Sequence, residues 1–440
     1  MASGVFDALV IGGGIIGLWT GLDLAMRGLR VAVLERGVIG GETSGKFHGL
    51  LHSGARYAVR DPVSASECIS ENRVLSRIAS HAIEDTGGYF VALTREDEEY
   101  YEELSKALRR IGIPFREVPV EEARREEPEL NPGVRVVIEV PDKVVYGRDM
   151  VVSVALTAFR EGALVLEHLE AMEIRSAGEE LVVRLQDRLR GDSVELRARA
   201  VINAAGPWAG EVAKRAGVKA EVMPTAGTMV VYPRRLTRRV INRMRPPSDG
   251  DIVVPYGSSS IAGTTAFIVE DLENVEPVEE EIEFLTREAA AMLPRIAELP
   301  VARAYTSIRP LIRIGSEPEK AGREATRSFQ VIAHSEPRGF FTVVGGKFTT
   351  ARLVAEKLGD TVAKYLGVGK RSRTSETPLA GQDPYQELRE LKNIDGALLQ
   401  RVLDSIRGGM DEERGRLAAY AALHYAVTAM SRKALGLPTA

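Results

Sequence analysis

Apolar and polar positions follow two periods along this chain, and the first change of period comes at the N-terminus. "FDALVIGG" is an almost unbroken apolar run that stops at glycines and predicts a buried strand. "GLWTGLDLAMRG" places its apolar residues at helical spacing and stops at Gly28, and "LRVAVLER" predicts a second buried strand. The same alternation returns later. "REDEEYYEELSKALRRIG" predicts an acidic helix, and "GRDMVVSVALTAFREGALVLE" a helix followed by a strand. "ELRARAVINAAGPWAGEVAKRAG" predicts a strand, a small-residue turn and a helix. "TMVVYP", "DIVVPYG" and "SIAGTTAFIV" are strand-like, and a charged helix follows near 278–293. "GFFTVVGGKFTTARLVAEKLGDTVAKYLG" again predicts strand, glycine turn and long helix, and the tail after Pro378 is helical.

A chain of 440 residues is long for one compact core, which predicts two or three domains. With 44% apolar and 27% charged residues it is expected to be globular. A net charge of −4 speaks against general nucleic-acid binding. The single cysteine, Cys68, cannot alone make an internal disulfide, a zinc site or an iron–sulfur cluster, and fits a reducing compartment. The N-terminus lacks the cationic and apolar regions of a signal peptide, and no run of 18 apolar residues occurs. A cytoplasmic location, with at most peripheral membrane attachment, is expected. Arginine outnumbers lysine 46 to 12, and Asn plus Gln total 11. Heat adaptation or genome composition gives such a bias.

"VIGGGIIG" carries G-x-G-x-x-G at Gly12, Gly14 and Gly17, between a strand and a helix. Such glycines permit a tight turn and let a pyrophosphate approach backbone N–H groups at a helix N-terminus. Glu35 ends the next strand, 23 residues after Gly12, where a carboxylate can accept from ribose hydroxyls. This predicts a dinucleotide but does not separate NAD from FAD. Two further stretches favour FAD. "VINAAGPWA" puts small residues after a strand, and "VVGGKFTTARL" puts Gly345 and Gly346 before a helix whose N-terminus favours negative charge on a reduced flavin. The expected fold is α/β, with a discontinuous Rossmann-like FAD-binding domain (1–85, 145–218 and 326–377). A strand-rich, antiparallel substrate domain (86–144 and 219–325) interrupts it, and a helical segment (378–440) ends the chain.

With these segments in view, the chain resembles the FAD-dependent glycerol-3-phosphate dehydrogenases of the D-amino-acid-oxidase-like flavoprotein superfamily, and most of all the large subunit of the anaerobic type. The segments that carry the resemblance are "GLLHSGARYAV", "ECISENRVL", "VINAAGPWA", "VINRMRPPSDGDIVVP", "GTT", "AYTSIRPL" and "GGKFTTARL". It implies oxidation of sn-glycerol 3-phosphate to dihydroxyacetone phosphate, with electrons passed to a quinone or an electron-accepting partner subunit. It also implies substrate contacts from Arg56, Tyr57, Arg309, Arg327 and Lys347. Arginine binds phosphate bidentately, and a dianion needs several donors; the alternative for Arg327 is a surface ion pair. His52 is the candidate base that removes the hydroxyl proton, or else a histidine that orients flavin or backbone. Arg309 and Lys347 join it as candidates for polarising the developing carbonyl. Cofactor contacts are expected from Gly12, Gly14, Gly17, Glu35, Arg36, Thr43, Ser44, His48, Ala205 and Gly206. The turn from Gly345 through Gly346, Lys347, Phe348 and Thr349 should add to them.

The chain departs from that family in two places. Many relatives carry Lys-Gly-Ser, sometimes followed by His, where this chain has Ala226, Gly227, Thr228 and Met229. The anaerobic enzymes' large subunits often continue into a cysteine-rich electron-transfer module, whereas this sequence stops at Ala440. "RRLTRRVINRMR" holds six arginines, readable as a solvated face or as a docking surface for anionic lipid or an acceptor protein. "LAAYAALHYAVTAM" is too short to span a bilayer and reads as a packed helix, or as a membrane-surface or partner helix. Two rival readings share the fold: an oxidase or dehydrogenase of a 2-hydroxy acid or amino acid, and a non-catalytic flavin subunit of a larger complex. A homo-oligomer is left open.

Overall fold

The computed structural model describes residues 4–312, 328–391 and 412–439. Its first unit is β1 (Phe6–Ile11), α1 (Ile15–Met26) and β2 (Val31–Leu34). β1 is apolar apart from Asp7 because it is covered on both faces and paired on both edges. It runs parallel to β2, from Ala8 opposite Val31 to Ile11 opposite Leu34. On its other edge it runs parallel to the second half of the strand Ser193–Asn203. Strand Leu164–Leu166 continues the parallel order beyond β2, and Phe340–Gly345 continues it beyond Ser193–Asn203. The first half of Ser193–Asn203 leaves this layer to pair antiparallel with Glu180–Asp187, which in turn pairs with Leu169–Ala177. Helices α1, Gly147–Arg160 and Ala351–Tyr365 pack together in the largest hydrophobic cluster.

Among the described residues the second sheet has nine strands and is mainly antiparallel. Strand Met223–Tyr232 pairs with Arg303–Leu311 on one edge and Ser259–Gly263 on the other. The sheet then runs through Ile252–Tyr256, Val240–Arg243 and Gly88–Ala92 to Val136–Val140. The helix Glu279–Met292 buries Leu285, Ala289 and Met292 against it. A small third sheet joins Leu50–Leu51, Lys143–Val145 and Ile83–Glu84.

The helix α2 (Pro62–Ile78) has no counterpart in the sequence reading. Asp61 caps it by accepting from the Ser64 N–H at 3.0 Å, with Pro62 at the first helical position. Its buried face carries Ser64, Cys68, Glu71 and Asn72, so the apolar period that marks a helix is weak. Ser64, Glu71 and Asn72 are each hydrogen-bonded. Asn72 Nδ2 donates to the carbonyls of Leu51, His52 and Pro141. Glu71 takes Arg352 in a bidentate pair at 2.5 and 2.8 Å.

The arginine run differs from both expectations. Arg235 pairs with Glu84, Arg239 with Glu126 and Glu139, Arg243 with Asp97, and Arg245 with Asp251 and Glu288. Only Arg234 and Arg238 of the six are exposed. Four of the charges are therefore spent inside the protein, binding the strand-rich sheet to its flanking helices and loops. The C-terminal helix Glu412–Ala434 is packed. It buries Ala419, Tyr420, Leu423 and Val427, and its Ser431 Oγ accepts from the Val165 N–H on the sheet's edge strand at 2.9 Å.

The α2 contacts generate a stability prediction. Glu71 and Arg352 are almost fully buried, so removing one leaves an uncompensated charge, at about 3–5 kcal/mol. Arg352→Met is expected to lower the urea midpoint strongly, and the Glu71→Leu, Arg352→Met double variant to recover part of the loss. A double variant no better than the single would show that the pair is not what holds α2 to helix Ala351–Tyr365.

Candidate active site

The parallel strands end side by side, and a cavity of about 810 Å³ opens along those ends. That volume lies in the range of cofactor sites, roughly 300–1,000 Å³. The glycine motif forms its floor. Gly12 has φ +114°, and a Cβ there would sit 2.5 Å from the Ala204 carbonyl oxygen. A Cβ on Gly17 would sit 1.9 Å from the Gly12 oxygen, so α1 can lie this close to β1 only without one. Gly14 precedes the first turn of α1 and offers no side-chain cap, while Ser44 Oγ accepts from the Ile15 N–H at 2.9 Å. The helix N-terminus thus borders the cavity with its positive end toward it.

At one end of the cavity the Glu35 carboxylate accepts from the Gly13 and Gly37 N–H groups at 2.8 Å each. Burial pushes this carboxyl up, while the two N–H groups pull it back down. Arg36 lies over the Trp208 ring at 4.3 Å and pairs with Glu273, which also accepts from Trp208 Nε1. Ala205 and Gly206 complete this wall. The cavity's length, the side-chain-free floor, the helix terminus and the placed carboxylate together fit the dinucleotide that the motif predicts.

The other end collects the remaining predicted residues. Thr43 lines it and donates to the Ile308 carbonyl at 2.6 Å. Gly345, Gly346, Lys347, Phe348 and Thr349 line it from the second glycine turn, and Phe348 stacks on Phe47 at 4.3 Å. His48 and His52 face each other edge to face, with ring centroids 6.0 Å apart. Burial first, then the charges of Arg56 and Arg309, push His48 down to about 3. His48 is neutral near pH 7, and its Nδ1 accepts from the Leu50 N–H at 3.1 Å. A group so hard to protonate is a poor base. The His52 N–H donates to Thr349 Oγ1 at 3.1 Å, its carbonyl accepts from Asn72, and Tyr57 Oη lies 3.5 Å from its Nε2.

The cations are held in different ways. Arg309 Nη2 donates to the carbonyls of Ala226 and Thr265 at 3.1 and 2.8 Å. Lys347 Nζ donates to Ser64 Oγ at 3.0 Å and lies 5.0 Å from the Tyr57 ring centre. Arg56 Nη2 donates to Asp251 and to the Ser248 carbonyl, both at 2.8 Å. Its Nη1 is buried with no hydrogen-bond partner among the described residues. Arg327 lies outside the described residues. Gly17 packs beneath the cavity rather than lining it. The sequence reading missed Trp208, Phe47, Arg60 and the loop around Ser248, although "VINAAGPWA" and "RPPSDG" were there to point at two of them.

Comparison with known proteins agrees with this geometry. The profile of the family described as FAD dependent oxidoreductase matches residues 7–361. The chain is 39% identical over 401 residues to the A1 component of the anaerobic glycerol-3-phosphate dehydrogenase of Haloferax volcanii, covering 87% of this chain and 68% of that one. It is 37% identical over 385 residues to the corresponding component of the Escherichia coli enzyme, covering 86% and 71%. Among solved structures, the glycerol-3-phosphate dehydrogenase from Bacillus halodurans complexed with FAD superposes with a TM-score of 0.68 at 20% identity, over 100% of this chain and 81% of that one, which shows the shared fold. The chain belongs to the FAD dependent oxidoreductase family, with FAD as its cofactor, and within it to the family of these anaerobic glycerol-3-phosphate dehydrogenase components.

Proposed function

We propose that the protein oxidises sn-glycerol 3-phosphate to dihydroxyacetone phosphate. The observation that carries this reading is one end of the cavity, where buried His52 stands among Arg56, Arg309 and Lys347. When bound, FAD supplies the hydride acceptor. The chain's own side chains do the rest. Arg56 receives the phosphate on its unpartnered Nη1, with Arg309 and Lys347 as further cations on the same wall. One cation would suit the carboxylate of a hydroxy acid or amino acid; several suit a dianion. His52 takes the proton of the hydroxyl that becomes the carbonyl, with Tyr57 beside it to hold the ring. The histidine is buried and the three cations are half-buried, which strengthens each of these interactions. Electrons then pass to a quinone or a protein acceptor. Among the described residues no helix is long and apolar enough to cross a membrane. Attachment to a membrane surface would fall to parts other than the Arg234–Arg245 run, most of which is internally paired.

Anaerobic titration of the FAD-loaded protein with sn-glycerol 3-phosphate is expected to bleach the flavin absorbance. Glycine and lactate should leave it unchanged. Bleaching by either of those, and not by the phosphate ester, would transfer the assignment to the carboxylate readings.

His52→Gln keeps a hydrogen-bonding side chain and removes the base. It is expected to lower kcat by roughly 100- to 10,000-fold with FAD content unchanged. A loss of FAD together with a small loss of kcat would make His52 a cofactor-orienting residue.

A hydrogen bond to a charged group contributes roughly 1.5–3 kcal/mol, so Arg56→Met and Arg309→Met should each lower kcat/KM for the phosphate ester by about 10- to 150-fold. Any weak turnover of glycerol, which carries no phosphate, should fall much less. Equal losses on both substrates for Arg309→Met would move that residue from the phosphate to the reacting oxygen or to support of the strand Met223–Tyr232.

A further inference from the structure

The segment "RPPSDGDIVVP" carries a buried carboxylate that the mechanism above does not use. Asp251 closes the hairpin between strands Val240–Arg243 and Ile252–Tyr256 and has no exposed surface. Its Oδ2 accepts from Arg56 Nη2 at 2.8 Å and from the Ser248 N–H at 2.6 Å. Its Oδ1 accepts from Arg245 Nε at 2.7 Å, and Arg245 continues to Glu288 at 2.7 Å. The Ser248 carbonyl takes a further bond from Arg56 Nη2 at 2.8 Å.

Both bonds to Arg56 fall on the same nitrogen. Nη2 is anchored by Asp251 and Ser248, Nη1 is buried with no partner among the described residues, and the side chain lines the cavity. A guanidinium is rigid and planar, so fixing one nitrogen directs the other. The network balances in charge: Arg56 and Arg245 alternate with Asp251 and Glu288, so Asp251 can lie buried without an unpaired ion and serve as a fixed anchor for Arg56.

We propose that Asp251 is the positioning residue of the anion site: it holds the Arg56 guanidinium in the cavity wall where the substrate phosphate binds, and Arg245 holds Asp251 in turn. This deepens the proposed function and rests on it for the identity of the anion. It makes a counter-intuitive demand. By charge alone, deleting a carboxylate beside an anion site should tighten anion binding. By positioning, deletion weakens it.

The test compares wild type, Asp251→Asn, Arg56→Ala and the double variant, all FAD-loaded, in steady-state assays with sn-glycerol 3-phosphate and in calorimetric titrations with inorganic phosphate. Asp251→Asn is expected to raise KM and the phosphate Kd about 10-fold or more, close to one neutral-to-charged hydrogen bond, while kcat falls by less than about threefold. The double variant is expected to match Arg56→Ala, because Asp251 acts through Arg56 alone. The comparison of these two also decides the question if Asp251→Asn fails to fold, since removing both charges leaves no buried ion unpaired. A lower KM in Asp251→Asn, or a double variant clearly weaker than Arg56→Ala, overturns the proposal. So does a wild-type protein that binds no phosphate. If the wild type binds phosphate but glycerol 3-phosphate does not bleach its flavin, only the substrate assignment falls, and the phosphate titrations still judge Asp251.

Discussion

A parallel sheet leaves its strand ends as a row of unsatisfied backbone groups, and this protein's chemistry is built on that row. Gly12 N–H reaches the Leu34 carbonyl at 2.7 Å, and Ala204 N–H reaches Ile11 at 2.8 Å, so successive chains leave the sheet at the same level. A side chain at Gly12 or Gly17 would part them. Because they stay together, the end of β2, the Ala204–Gly206 turn and the Gly345–Thr349 turn become walls of one cavity.

The second requirement is to bring cations into a buried place without losing them to nearby carboxylates. The structure meets it by holding each one from behind. Arg309 leans on backbone carbonyls, Lys347 on a hydroxyl, and Arg56 on a carboxylate already shared with another arginine. The His52 turn is fixed in the same manner. Asn72 gathers the carbonyls of Leu51 and His52, and Asp142 accepts from the Ser53 N–H at 2.7 Å and from Asn242. These supports come from α2, from the link between the two large sheets and from the strand-rich sheet itself, so the site is rigid because three parts of the fold converge on it. The resulting field acts on the site itself: the charges of Arg56 and Arg309 add to burial in keeping His48 neutral.

Abundant arginine takes on a different meaning in this setting. In the Arg234–Arg245 run the charge density suggests a surface, yet the loop before strand Val240–Arg243, the strand's end and the turn after it send four of the six side chains toward acidic partners. Charge runs report how many ions a segment carries and not which way they face. The apolar C-terminal helix shows the complementary point. Its apolar stripe covers the edge strand Leu164–Leu166, and a serine among the apolar residues satisfies that strand's N–H.

What depends on local order is legible in the sequence: the strand–turn–helix units, the acidic helix, the glycine turns and the carboxylate at the end of β2. Each is a short-range pattern in which backbone geometry dictates residue type. The sequence also supplied the residues of the cavity's far end, through segments resembling a known family. Only the tertiary structure decided how these residues are supported. Helix α2 was hidden because its buried face is polar, and its residues become intelligible only beside Arg352, Lys347 and the His52 turn, which lie far away in sequence. Asp251 was likewise legible as a residue and not as a role. A carboxylate's effect depends on which cations share it, and Arg56 lies 195 positions before it in the chain. Long-range pairing of buried polar groups leaves no periodicity along the chain, so it is settled by packing alone.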